Sequence, residues 1–251
     1  MVLHAETVQL PARGFRIDPG KALVVAALCW LAFAAVAWAV TTGHTTTIDK
    51  AGLLFWRDSD LRPSGSTRVL EMVRDVTALG GVLLRNLFAL GAVVALLFLK
   101  LRREAALLAL TVVGGWIVNS LLKALVGRAR PEIVPHLMEA GGNSFPSGHS
   151  FNSAVVYIAM ALAFAAFSRR EAVRYTIVGT AVAASMAIAW SRVWLGVHWP
   201  SDAIAGWLGG AGWAFLASAL LYRPARAAVH RAEKISEPDS PPHEAAHPPS
   251  G

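Results

Sequence analysis

Three short stretches of this sequence hold side chains whose types and spacing suit chemistry on an anion. The first begins at Lys123 and reaches Arg130-Pro131 seven positions later. Seven residues are two helical turns, so the two cations share a face if helix persists between them. Gly127 and Pro131 predict that the helix ends in this stretch, leaving Lys123 on the helix terminus and Arg130 in a loop. Two cations there suit phosphate. Taken alone, they are better explained as side chains snorkelling at a membrane interface, and Arg128, outside the spacing, is read that way.

The second stretch is Pro146-Ser147-Gly148-His149, directly before an apolar block. Gly148 permits close backbone approach. The amides of the following helix N-terminus favour an anion, Ser147 adds a hydroxyl donor, and His149 stands at the rim, able to give a proton to a leaving oxygen. A lone loop histidine is otherwise a solvated bystander, which is the reading of His44 and His136. The third stretch holds Ser191-Arg192, His198, Pro200 and Asp202. Pro200 suits a first helical turn, which would put His198 and Asp202 on one face. A carboxylate accepting one ring N–H fixes the tautomer and frees the other nitrogen to attack. Asp202 reads equally well as a helix cap beside an unrelated histidine. His149, His198 and Asp202 could ligate zinc, but Lys123, Arg130 and Arg192 around them would repel it. The charge balance favours an oxyanion, so no metal and no cofactor is expected.

The elements that must position these residues are apolar. Of 251 residues 55% are hydrophobic and only 16% charged, with a mean hydropathy of +0.49, which points to lipid rather than water as the solvent. Six blocks have membrane length: Lys21–Val40, Gly80–Leu99, Glu104–Val126, Phe151–Phe167, Arg174–Val193 and Ala203–Leu221. Helix is required because backbone polar groups must be satisfied without water. The expected fold is therefore all-α, a six-transmembrane-helix bundle with its site at the non-cytoplasmic membrane face. Ala37-Trp38-Ala39 resembles a cleavage site, but the first apolar stretch exceeds a signal peptide's usual core, so a retained helix is expected. Cys29, the one cysteine, lies inside that block and reads as a small buried hydrophobe.

Basic residues flank the blocks on alternate sides. Arg13, Arg16 and Lys21 precede the first; Lys100, Arg102 and Arg103 follow the second; Arg169, Arg170 and Arg174 follow the fourth; Arg223, Arg226, Arg231 and Lys234 follow the sixth. That side is expected to be cytoplasmic, which explains the net charge of +7 without nucleic acid. Both termini would be cytoplasmic. The expected organisation is an N-terminal segment over 1–20, a membrane domain over 21–222 with a partly helical excursion over 41–79, and a disordered tail over 223–251 rich in Pro, Ser, Glu and His.

Together, Lys123 with Arg130-Pro131, Pro146-Ser147-Gly148-His149, and Ser191-Arg192 with His198 and Asp202 resemble the type 2 phosphatidic acid phosphatase family, within the superfamily it shares with vanadium haloperoxidases. The resemblance runs from about Gly80 to the sixth block, with all three motifs present in order. It implies that Lys123, Arg130, Arg192, Ser147 and the Gly148 amide bind phosphate oxygens. It implies further that His198 becomes phosphorylated, Asp202 orients it, and His149 protonates the leaving group and then activates water. The expected substrate is a lipid phosphate of the phosphatidylglycerophosphate, phosphatidate or undecaprenyl pyrophosphate class. The expected partners are that lipid and the surrounding membrane lipids, with no obligate protein partner, in a bacterial inner membrane. A phosphotransferase passing the group to a second lipid is the close alternative. A soluble haloperoxidase is opposed by six apolar blocks, and a non-enzymatic lipid-phosphate binder gives His198 and Asp202 no purpose.

Overall fold

The computed structural model describes residues 18–168 and 170–236, which form eight helices and, among the described residues, no named strand. These are α1 (Pro19–Thr41), α2 (Thr46–Leu54), α3 (Thr67–Leu79), α4 (Val82–Phe98), α5 (Arg102–Val126), α6 (Gly148–Ala165), α7 (Glu171–Trp194) and α8 (Pro200–Ser236). The all-α expectation holds. The first 17 residues and residues 237–251 lie outside the described residues, and with them Arg13, Arg16 and most of the expected tail.

Local chemistry sets the ends of the helices that matter for the site. α5 stops at Gly127, whose φ of 62° lies in the left-handed region and whose N–H donates to the Lys123 carbonyl, a common glycine stop. α6 starts behind Ser147, whose side chain accepts from the Ser150 amide. α8 starts at Pro200, where a missing N–H costs nothing.

Five helices are long and apolar enough to cross a membrane: α1, α5, α6, α7 and the Pro200–Leu220 part of α8. α3 and α4 meet at 47° across Gly80-Gly81 and make a sixth crossing when counted together. The sequence places α3 in the excursion and begins a separate block at Gly80, and the structure likewise breaks the helix there. Gly80 packs too closely for a side chain: a Cβ there would fall 2.4 Å from Ile188 of α7. α8 continues to Ser236, past the Leu221 limit of the apolar block. The apolar run ends there, but the Ala- and Arg-rich sequence that follows favours helix, so the formed span propagates.

α6 is the hub. It packs against α5, α7 and α8, while α1 lies along α8 and α3 against α7. Nearly every residue of α6 from Ser150 to Ala165 is buried. The α6–α8 contact is made by small residues, the usual way for membrane helices to gain van der Waals contact. A Cβ on Gly206 would lie 2.6 Å from the Ser147 carbonyl oxygen, and one on Gly210 would lie 2.1 Å from that of Phe151. Both obstacles are backbone, so only glycine lets the helices approach this closely. Because α6 begins with Ser147-Gly148-His149 and α8 with Asp202, this contact sets the two site-bearing helix ends against each other.

Gly210→Ala is therefore expected to destabilise the protein by about 1–3 kcal/mol through overpacking and to lower activity with it. Gly91→Ala, on α4 where nothing lies within 4 Å of the new Cβ, should be neutral or gain up to about 1 kcal/mol from helix propensity. Thermal unfolding in detergent compares the two, and equal effects would remove the close-contact argument.

Candidate active site

Asp202 is the most connected side chain of the site and is fully buried. In the first turn of α8, its Oδ2 accepts from the Trp199 amide at 3.0 Å, closing the helix end as the third residue of a capping box does. The same oxygen accepts from Ser144 Oγ at 2.5 Å and lies 3.5 Å from His198 Nδ1. Its Oδ1 accepts from Arg128 Nη1 at 2.6 Å. The cap and the histidine partner are thus one carboxylate.

The His198–Asp202 relation departs from the expected direct contact. At 3.5 Å the pair is beyond a normal N–H···O bond. Ser144 Oγ stands between them, 3.2 Å from His198 Nδ1, and hands its own proton to Asp202. An Nδ1–H tautomer satisfies this chain and leaves the lone pair on Nε2. That nitrogen sits 3.1 Å from Arg130 Nη1. His198 is almost fully buried, and its pKa falls to about 3. Burial is the largest cause; Asp202 opposes it through hydrogen bonding and charge, and Arg130 and Arg192 reinforce it. The ring is therefore neutral, as a nucleophile must be.

Arg130 is clamped by loop carbonyls: Nε donates to Gly142 O at 3.1 Å, Nη2 to Gly141 O at 2.8 Å and Nη1 to Val197 O at 2.7 Å. Burial lowers its pKa and the Asp202 charge raises it part way back. Lys123 Nζ donates to Asn143 O at 2.6 Å while Asn143 Nδ2 returns a bond to Lys123 O at 2.9 Å. The Lys123 Cε lies 3.5 Å from where a Gly148 Cβ would stand, so the ammonium arm passes the α6 N-terminus. Arg192, near the end of α7, is 2% exposed. Its Nη1 donates to Thr77 Oγ1 of α3 at 2.9 Å, and its Nε is sealed from solvent without a partner among the described residues. Arg57 Nη2 donates to Trp194 O at 2.8 Å, placing a cation on the C-terminal carbonyls of α7, where the helix dipole favours it.

Ser147 and Gly148 lie where the sequence puts them, at the start of α6. The Ser147 hydroxyl, expected to serve an anion, accepts from Ser150 N at 3.4 Å and Ser150 Oγ at 2.9 Å, while its own proton stays available. Its amide donates to the Asp202 carbonyl at 3.0 Å, which ties the two helix starts together. His149 differs from His198: neither ring nitrogen has a hydrogen-bond partner among the described residues, and its Cδ2 lies 3.3 Å from the Cβ position of Gly80. One histidine is held by its neighbours, and the ring of the other has no hydrogen-bond partner among the described residues. No group of three or more His, Cys, Asp or Glu with metal-binding geometry occurs among the described residues.

Three contributors escaped the sequence reading. Arg128 is no snorkelling cation. Its Nη2 binds Asp49 Oδ2 at 2.7 Å while Nη1 binds Asp202, and it lies over the Trp199 ring. Asp49, 1% exposed, also accepts from the amide and hydroxyl of Ser201. Asp49 looked like one of five acids in the excursion, and nothing in its spacing connects it to Asp202. Ser144 precedes the second motif with no pattern of its own.

An all-helical bundle that brings two histidines, a buried carboxylate and several cations to the helix ends is the arrangement to set beside known proteins. Residues 104–226 match the PAP2 superfamily. The chain is 36% identical over 121 residues to a lipid A 1-phosphatase of Rhizobium etli, covering 45% of this chain and 47% of that one. It is 33% identical over 144 residues to phosphatidylglycerophosphatase B of Bacillus subtilis, covering 54% and 67%. The matched stretch thus spans about half the length of the first relative. A crystal structure of a transmembrane PAP2-type phosphatidylglycerolphosphate phosphatase from Bacillus subtilis shares the fold, with a TM-score of 0.69 at 24% identity over 84% of this chain and 98% of that one. The chain belongs to the PAP2 superfamily.

Two expectations follow from this geometry. Asp49→Asn leaves Arg128 with one full counter-charge, so it should lower kcat by about tenfold, a loss on the order of 1–2 kcal/mol, with KM little changed; Arg128→Lys, which cannot bridge two carboxylates in the same plane, should do the same. An equal rise in KM would assign the network to substrate binding instead. Second, the unfolded chain binds a proton on His198 near the ordinary value of about 6.5, while the folded chain does so only near 3. Folded stability should therefore fall as pH drops through that window, and melting temperatures of His198→Gln should show a shallower decline there.

Proposed function

We propose that this protein is an integral-membrane phosphatase that removes phosphate from a lipid monoester or pyrophosphate through a phosphohistidine on His198. The observation that carries the reading is the environment of one ring. Nδ1 is tied through Ser144 to Asp202, and Nε2 lies 3.1 Å from the Arg130 guanidinium. The lone pair that attacks and the cation that receives phosphate oxygens stand side by side.

In the first step Nε2 bonds to phosphorus, the bond from phosphorus to the lipid oxygen breaks, and His149 gives its proton to that oxygen. In the second, water attacks phosphorus while His149 takes its proton, the P–Nε2 bond breaks, and inorganic phosphate leaves. Lys123, Arg130, Arg192 and the α6 amides hold the equatorial oxygens, where phosphoryl transfer needs most of its stabilisation. These cations fill the electrostatic role of a metal. Asp202, through Ser144, balances the charge that His198 gains. A site at the membrane face lets the acyl or prenyl tail remain in hydrocarbon, and the alternation of basic loops supports a face on the non-cytoplasmic side.

Detergent-purified protein in excess EDTA is expected to release inorganic phosphate from lipid monophosphates and pyrophosphates, and His198→Ala to lose on the order of 10³-fold or more. In sealed right-side-out vesicles, externally added substrate should be consumed. Release only when an acceptor lipid is added would make it a phosphotransferase. Full activity of His198→Ala would end the phosphohistidine reading, and release only from inverted vesicles would reverse the orientation.

A further inference from the structure

Asn119 lies on α5 one turn before Lys123, is 4% exposed and takes no part in the reaction above. Gly115, Asn119 and Lys123 are spaced by four and share one stripe of the helix. That stripe faces α6: a Cβ on Gly115 would fall 2.9 Å from the Val155 side chain. An asparagine is a costly choice there. It is a poor helix former, and its carboxamide brings two N–H donors and an acceptor oxygen into an apolar contact. Neither end bonds to another described residue, and Oδ1 is sealed from solvent without a partner. An amide buried this way costs stability unless something else answers it.

What Asn119 does meet is the start of α6. Beyond its own helix and chain neighbours, the point where a Gly148 Cβ would stand has only two atoms within 4 Å: Asn119 Nδ2 and Lys123 Cε, each at 3.5 Å. Glycine keeps that space open, and the two side chains wall it. The first amides of a helix have no partner within it and favour an anion. The Ser150 amide is capped by Ser147, which leaves those of Gly148 and His149. Lys123 gives one of its three ammonium donors to Asn143 O. Asn119 thus brings a neutral donor to a space already edged by a cation and free amides. A carboxamide can turn end for end with little change of shape, so the occupant decides which end it meets, and an anion selects the N–H end.

Resting on the proposed phosphatase reading, we infer that Asn119 is a further ligand of the transferred phosphoryl group, its Nδ2 donating to the oxygen held between the Lys123 ammonium and the Gly148 amide. No bond is made or broken at Asn119; it adds a hydrogen bond without adding charge. A carboxylate of the same shape would claim Lys123, four residues on, and repel the anion. Alanine would leave the oxygen one donor short while freeing the helix of an unanswered amide. Phosphate binding and stability therefore move in opposite directions at this position, which a packing role does not produce.

The test places Asn119→Ala and Asn119→Asp in a His198→Ala parent, which does not turn over, and measures inorganic phosphate binding by titration calorimetry and thermal unfolding in the same detergent. Asn119→Ala should weaken phosphate binding by about tenfold or more, while its melting temperature holds or rises. Asn119→Asp should weaken binding further, because like charges repel. Phosphate affinity equal in the parent and both variants overturns the inference, and so does a parent that binds no phosphate. Weaker binding with a fall in melting temperature in both variants makes Asn119 a packing residue and overturns it too; where only one variant loses stability, the other decides. The phosphatase reading fails separately. If wild type releases no phosphate from any lipid while phosphate binding still depends on Asn119, the ligand assignment stands and the enzyme reading falls. If wild type hydrolyses lipid phosphates and both variants bind phosphate as the parent does, the enzyme reading stands and the ligand assignment falls.

Discussion

A carboxylate removed from water must be answered charge for charge, and the position of Asp202 shows what that demands. Its two oxygens take an amide, a hydroxyl and a guanidinium, drawn from the α8 start, the loop before α6 and the loop after α5. Had the guanidinium been the only answer, Arg128 would lock Asp202 into a neutral pair and blunt its pull on His198. Asp49, from α2, shares that guanidinium, so the group carries a net negative charge toward the histidine. Three segments distant in sequence are committed to one oxygen pair, and a fourth, α2, to the guanidinium that binds it. Breaking such a buried group by removing one partner is far costlier than its net worth in folding, which makes it a constraint on the rest of the bundle rather than a source of stability.

The helices meet that constraint through small residues. Gly206 and Gly210 bring α8 onto the backbone of α6, and the Ser147 amide binds the Asp202 carbonyl. Asp202 and the start of α6 are therefore placed by backbone contact, which does not relax as flexible side chains would. The cations are held differently. Arg130 and Lys123 hang on loop carbonyls and Arg192 on a threonine of α3, so the part of the site that must adjust to a lipid headgroup rests on its more adaptable side.

Much of this was legible in the sequence because it obeys local rules. The membrane-length helices followed from the length of apolar runs, the α5 stop from Gly127 and the α8 start from Pro200. Lys123, Arg130, His149, Arg192, His198 and Asp202 stood out by type and spacing, and the family resemblance of their combined motifs assigned their expected roles. What stayed hidden depends on tertiary contact. Asp49 lies 153 positions before Asp202, and no periodicity links them. Arg128 was dismissed because an arginine at a membrane helix end has a ready explanation, and only its two carboxylates overrule it. The break at Gly80 was visible as a change in hydropathy, but the 47° bend between α3 and α4 was not.

The unpartnered ring of His149 has a consequence for turnover. A histidine held by a protein acceptor is committed to one tautomer and must break that bond to reverse its role. His149 carries no such commitment among the described residues, so in the proposed cycle the lipid oxygen in one half and water in the other would decide which nitrogen bears the proton. On that proposal the departure of one ligand and the arrival of the next are the whole of the reset.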